Sequence, residues 1–171
     1  LAAFTPSRLG EANPPEGLHT IYVSPLKALA QDVARNLIAP VEEMGLPIRV
    51  ETRSGDTSSD RKRRQRDKPP HVLLTTPESL SLLLSYPESF DIFGGVQRIV
   101  IDEIHAFATG KRGDLLALAL SRLRVRCMPD EEGTTRCSSA CSEHGLVDSD
   151  ELHVEHYTIG DKQVLLLSSK K

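Results

Sequence analysis

The sequence predicts an α/β domain of three layers, with helices on both faces of a mainly parallel sheet. Three observations predict it. Short β-rich runs alternate with helical stripes along the first 126 residues. The polar residues capable of chemistry fall at the carboxyl ends of those runs, where open α/β sheets bind their ligands. The composition, 39% hydrophobic with 26% charged residues, supports a packed core. Aromatics are only 4% and Trp is absent, so that core must be aliphatic.

The elements follow in order. Residues 1–18 hold Pro6, Pro14, Pro15, Gly10 and Gly17 and read as the end of an element followed by a loop. Thr20-Ile21-Tyr22-Val23 is a first strand, ended by Ser24-Pro25. Leu26, Leu29, Ala30, Val33, Leu37, Val41 and Met44 form one apolar stripe of a helix that stops at Gly45, with a kink or break expected at Pro40. Leu46 to Thr52 alternates as a second strand, and Ser54-Gly55-Asp56 is a turn. His71 to Thr75 is a third strand. The next helix is capped either by Thr76, with Pro77 in its first turn, or by Thr75, with Glu78 reaching back. After a loop through Gly94-Gly95, Val96 to Ile101 is a fourth strand, and a helix runs from about Asp114 to Arg124. The pattern fails after residue 126, which sets a boundary near 127, although Val164 to Leu167 could form one more strand.

Charge is uneven. Residues 1–126 carry 17 Lys and Arg against 15 Asp and Glu, and residues 127–171 carry 4 against 9. A mildly basic body is compatible with nucleic acid without demanding it. No apolar run approaches the ~20 residues of a membrane helix, so no membrane partner is expected. Leu1 to Pro6 lacks the basic flank of a signal peptide. Three Cys, all after residue 126, argue for a reducing, cytoplasmic setting.

The strongest chemical signal is Ile99-Val100-Ile101-Asp102-Glu103-Ile104-His105. An apolar strand delivers two adjacent carboxylates to its end. Nucleotide hydrolysis uses one to hold Mg²⁺ and the other to deprotonate water. The plainer alternative is a solvated turn and helix cap. Ser24-Pro25-Leu26-Lys27 and Thr75-Thr76-Pro77-Glu78 both open helices after strands, where hydroxyls and backbone N–H groups can hold a phosphate. Singly, each is an ordinary helix start; together they could track one nucleic-acid strand.

Asp102-Glu103-Ile104-His105 resembles motif II of superfamily 2 DEXH-box helicases. Ser24 to Leu29 resembles their motif Ia, and Thr75 to Leu80 their motif Ib. Leu18 to Val23, Arg53 to Thr57 and Lys111 to Asp114 are similar to the large helicase-related branch, and Gly45 to Thr52 to its ligase-associated subgroup. The resemblance covers roughly residues 1–126. It implies a RecA-like domain of the P-loop NTPase type, the first of two motor domains, coupling ATP hydrolysis to movement on DNA. It implies Asp102 as the Mg²⁺ ligand, Glu103 as the water-activating base and His105 as the link to the nucleic-acid side. Ser24, Pro25, Lys27, Gly55, Asp56, Thr75, Thr76, Pro77 and Glu78 are then the nucleic-acid contacts. Single-stranded DNA is the implied partner, and the subgroup adds DNA-repair proteins such as a ligase. The alternatives are a non-catalytic nucleic-acid-binding remnant and an RNA helicase of the same superfamily.

The sequence also departs from that family. It contains no Gly-x-x-x-x-Gly-Lys-Ser/Thr phosphate loop and no Ser-Ala-Thr motif after Arg124. The expectation is a domain incomplete at its N-terminus, active only in its parent protein, with residues 127–171 a divergent tail. Without the strand that precedes the loop, a gap is expected in the sheet beside strand 96–101. The basic run Arg61 to Lys68 has no interleaved aromatic and reads as a solvated helix face. Cys127, Cys137, Cys141 and His144 lack the regular spacing of a zinc site. No Gly-x-Ser-x-Gly is present, which argues against an α/β hydrolase.

Overall fold

The computed structural model describes residues 16–107, 110–127, 147–149, 152–159 and 162–169. Seven strands build one sheet: β1 (Thr20–Val23), β2 (Val50–Arg53), β3 (Val72–Thr75), β4 (Arg98–Ile101), β5 (Val147–Ser149), β6 (Leu152–Ile159) and β7 (Lys162–Ser169). Their spatial order is β2-β3-β1-β4-β7-β6-β5. The pairs from β2 through β7 are parallel, and β6 and β5 add an antiparallel edge. The described helices are α1 (Lys27–Glu43), α2 (Ser59–Asp67), α3 (Pro77–Leu83), α4 (Ser89–Phe93) and α5 (Lys111–Cys127), with a short 3₁₀ turn at Ile104–Ala106.

Alternation along the strands sorts the core into two faces. Ile21, Val23, Leu73, Ile99 and Ile101 pack with Leu80, Leu83, Leu84, Phe93, Leu116 and Leu123 from α3, α4, α5 and their flanks. On the opposite face Leu74 packs with Ala30 and Ala34 of α1, joined by Tyr22, Val33 and Leu37. Burying one such aliphatic side chain contributes about 1.5–3 kcal/mol, so this aliphatic core is sufficient without Trp.

The structure corrects several expected elements. The α1 helix runs through Pro40 without a break. Its end is closed by a Schellman pair, Gly45 N to Glu42 O and Leu46 N to Val41 O, each 3.0 Å, with Gly45 at φ 62°. β2 begins at Val50, not Leu46, because Ile48 N bonds Leu46 O at 2.7 Å and turns the chain around Pro47. β4 begins at Arg98, since Gln97 N and Arg98 N both bond His19 O. The five-residue α4 was not expected, because it is too short to carry a periodic stripe. The α5 helix starts at Lys111, three residues early, where Gly113 meets the Phe107 carbonyl so closely that a Cβ would lie 2.0 Å from its oxygen.

The expected gap beside β4 is also corrected. β7 pairs with β4 in parallel, Arg98 with Gln163 through Ile101 with Leu166. The continuous run Val164-Leu165-Leu166-Leu167 is the pattern of a strand with neighbours on both sides. Cys137, Cys141 and His144 lie outside the described residues, as does Leu1 to Pro15.

Candidate active site and nucleic-acid interface

β4 ends at Ile101, and the chain turns sharply at once. Asp102 N bonds Val23 O at 2.9 Å, which ties the first carboxylate to the neighbouring strand end. In the parallel register Tyr22 stands beside Val100, so the two-residue repeat brings Asp102 to the face that Tyr22 occupies. The Tyr22 hydroxyl donates to Asp102 Oδ2 at 2.5 Å, and Asp102 is 8% exposed. Burial, then the Asp102 hydrogen bond and the nearby carboxylate charges, hold the Tyr22 hydroxyl well above the usual tyrosine range. Tyr22 therefore remains a donor to the carboxylate.

Glu103 adopts φ 51°, ψ 49°, the left-handed region. It is the one non-glycine residue with positive φ among those described. Such a conformation costs about 1–2 kcal/mol for a residue with a Cβ. It re-aims the second carboxylate, which a continuing strand would have sent to the opposite face. His105, in the following 3₁₀ turn, places Nε2 3.1 Å from Glu103 Oε2.

The donor set suits a hard cation. Asp102 Oδ1 carries no protein hydrogen bond among the described residues. No group of three His, Cys, Asp or Glu gathers there among the described residues. One or two carboxylates fit Mg²⁺, which keeps its waters and completes its shell with substrate phosphates.

The second constellation lies at the ends of β1, β2 and β3. A cleft of about 520 Å³ is lined by Pro25, Leu26, Lys27, Arg53, Ser54, Gly55, Lys62, Thr76, Glu78, Ser79, Leu82 and Arg112. Five of the sequence-predicted contacts, Pro25, Lys27, Gly55, Thr76 and Glu78, meet in this one cleft. Asp56 stands at its side, ion-paired with Lys27. Ser24, Thr75 and Pro77 are buried beneath it. Ser24 Oγ donates to Leu26 O at 3.2 Å, and Thr75 Oγ1 donates to Arg53 O at 3.0 Å.

The two helix starts differ. Thr76 caps α3, its Oγ1 accepting from Ser79 N at 3.5 Å with Pro77 in the first turn, which decides between the two expected caps. Leu26 precedes α1 with no side-chain cap, so only one of the two starts is capped by a hydroxyl. Thr75 is not the cap, so Glu78 is not the reach-back partner of a Thr75 capping box. Glu78 accepts from Arg112 Nε at 2.5 Å and from the second guanidinium nitrogen at 3.2 Å. Burial pushes the Glu78 carboxyl up, but the bonds from Arg112, backbone and Thr76 outweigh it and hold the pKa below the usual value.

The basic run forms α2, as a helix face, and several of its members are occupied. Arg61 and Arg64 pair with Glu51 at 3.4 Å, Lys62 Nζ donates to Gly55 O at 2.8 Å, and Arg66 stacks 4.4 Å over the Tyr86 ring. Sequence reading missed Tyr22, Arg53, Lys62 and Arg112. Tyr22 carries a signal, since a polar residue inside an apolar strand row asks for a partner.

A parallel sheet with paired carboxylates at one strand end and a basic cleft at the next three defines a RecA-like helicase motor domain. The family model "DEAD/DEAH box helicase" matches residues 2–148, and the chain belongs to that family. It is 44% identical over 116 residues to the ATP-dependent helicase Lhr-Core of Methanocaldococcus jannaschii, covering 62% of this chain and 14% of that protein. It is 47% identical over 120 residues to the Lhr helicase/probable uracil glycosylase of Mycolicibacterium smegmatis, covering 64% of this chain and 8% of that protein. The solved structure of Mycobacterium smegmatis helicase Lhr bound to single-stranded DNA and AMP-PNP superposes with a TM-score of 0.58 at 46% identity, over 66% of this chain and 16% of that one. The chain thus spans a small part of the relatives it matches.

Proposed function

We propose that this chain supplies the strand-binding cleft and the water-activating carboxylates of an Lhr-type ATP-dependent DNA helicase. The observation that carries it is the meeting of three successive strand ends in one basic cleft, beside the strand that delivers Asp102 and Glu103. Asp102 would hold Mg²⁺ through its free oxygen, and the metal would neutralise charge on the transferring phosphate. Glu103 receives the proton of the attacking water at its carboxylate, and His105 ties that carboxylate to the following turn. The sequence holds no Gly-x-x-x-x-Gly-Lys-Ser/Thr phosphate loop, and Asp102 and Glu103 do not by themselves grip a triphosphate. The favoured ligand of the cleft is single-stranded DNA. The setting is a reducing cytoplasm, and repair proteins such as a ligase are candidate partners on subgroup resemblance alone.

The test has two arms. Fluorescence anisotropy of labelled oligothymidylate reads strand binding by the chain itself, and weaker binding on Lys27→Ala is expected at low salt. In the helicase that contains this domain, Glu103→Gln should retain ATP and lose hydrolysis, because the amide fills the space without accepting a proton. Wild-type hydrolysis by the Gln variant would remove Glu103 from the mechanism.

A further inference from the structure

β2 carries an anomaly in its last residue. The parallel register aligns Arg53 with Thr75, Thr75 with Val23, and Val23 with Ile101. That row faces the main core, and an aliphatic side chain on β2 would complete it. Instead it holds a guanidinium that is 1% exposed. One terminal nitrogen donates to Lys62 O at 3.0 Å and to Gln65 Oε1 at 3.3 Å. The other is buried with no hydrogen-bond partner, the only such side-chain atom among the described residues. Among the described residues no carboxylate pairs with Arg53. An uncompensated buried charge is among the costliest features a fold can carry, and a well-packed apolar residue would serve stability better.

Arg53 nevertheless contributes to the lining of the cleft, together with Lys27, Lys62 and Arg112. The lining contains four cations and a single carboxylate, Glu78, already held by Arg112. We infer that Arg53 is a buried anion receptor, whose unpartnered nitrogen takes a non-bridging oxygen of a phosphodiester when a nucleic-acid strand lies in the cleft. This rests on the strand-binding function proposed above and adds its deepest contact. Lys62 links Arg53 to the rim, since the same residue gives its carbonyl to Arg53 and its ammonium to Gly55 O. Arg53 is then a binding residue whose charge is neutralised by the ligand and not by the fold.

The experiment compares the unaltered chain with Arg53→Met, which keeps length and apolar volume. Without ligand, the Met variant should melt at the same temperature as the parent or higher. Its affinity for oligothymidylate should fall about tenfold or more, and its log–log salt slope should drop by roughly 0.7, one phosphate contact on a single strand. An independent reading uses the unaltered chain alone: the Arg53 guanidinium ¹H–¹⁵N resonance should shift saturably as oligothymidylate is added. A parent chain that binds the oligonucleotide while this resonance stays still, or a Met variant that binds equally well, overturns the inference but leaves the strand-binding function standing. No oligonucleotide binding by the parent chain defeats both. A shift with inorganic phosphate and none with oligothymidylate assigns the site to a free anion and overturns the strand contact.

Discussion

Tyr22 and Asp102 are 80 positions apart in sequence and joined by a 2.5 Å hydrogen bond across the β1–β4 pair. The bond engages one carboxylate oxygen, and the other accepts no hydrogen bond among the described residues. It also has a signature in alkali. Tyr22 ionises at higher pH in the fold than in the unfolded chain, where the value is near 10. The folded state therefore keeps a proton that the unfolded state loses. Its contribution to stability is complete below about pH 10 and declines above it, by up to about 1.4 kcal/mol per pH unit. Tyr22→Phe should cost about 1–3 kcal/mol at neutral pH, because a buried carboxylate loses its donor. Urea melts from pH 7 to 11 should show the two proteins converging above pH 10. Parallel curves would mean that Tyr22 ionises equally in both states.

The left-handed Glu103 yields a second prediction. Glycine adopts φ 51° without penalty, whereas alanine retains the Cβ strain. Both substitutions remove the carboxylate and its contact with His105. Glu103→Gly should therefore be more stable than Glu103→Ala by about 1 kcal/mol. Equal melting temperatures would show that the turn relaxes once the carboxylate is gone.

The carboxylate pair and the strand ends were legible because each rests on local chemistry. An apolar run ending in Asp-Glu announces a strand delivering charge, and Thr-Thr-Pro-Glu announces a helix start. The short strands were overextended, since Pro47 and the shared acceptor His19 O terminate β2 and β4 through bonds invisible in a hydropathy pattern. Arg53 was hidden for a related reason. Its burial comes from α2 folding back over β2, and nothing in Arg53 to Asp56 reports that Lys62 and Gln65 will cover it. The partnership of β7 with β4 joins segments some sixty residues apart in sequence, beyond the reach of any local signal.

Lys27 and Asp56 give the third prediction. Both were expected to touch the strand, and the structure pairs them with each other at the exposed mouth of the cleft. Exposed pairs contribute about 0–1 kcal/mol, so breaking this one should leave stability nearly unchanged. Binding should respond in opposite directions. Lys27→Ala removes a cation and should weaken oligothymidylate binding at low salt with a shallower salt slope. Asp56→Asn frees the same cation and removes a repelling carboxylate, so it should strengthen binding about two- to fivefold at low salt, on the scale of an exposed ion pair. Weaker binding by the Asn variant would show that Asp56 itself accepts a hydrogen bond from the ligand.

The last prediction concerns catalysis by these residues on their own. Triphosphates are gripped in this fold by a glycine-rich loop whose N–H groups surround the phosphates and whose Lys reaches the outer ones. That motif is missing from the sequence, and Asp102 offers one free carboxylate oxygen in its place. A Mg²⁺ held so sparsely depends on substrate phosphates that other groups must fix. The side-chain partners of Asp102 and Glu103 among the described residues are Tyr22 and His105, not an arginine, and an arginine finger contributes about 10³–10⁵ in rate to related phosphoryl transfers. The chain should therefore bind oligothymidylate yet release no phosphate from ATP above the buffer rate, with or without the oligonucleotide. Glu103→Gln should leave its strand affinity unchanged, since that carboxylate does not line the cleft. DNA-stimulated phosphate release that disappears in the Gln variant would mean that these residues contain a triphosphate grip built without the loop.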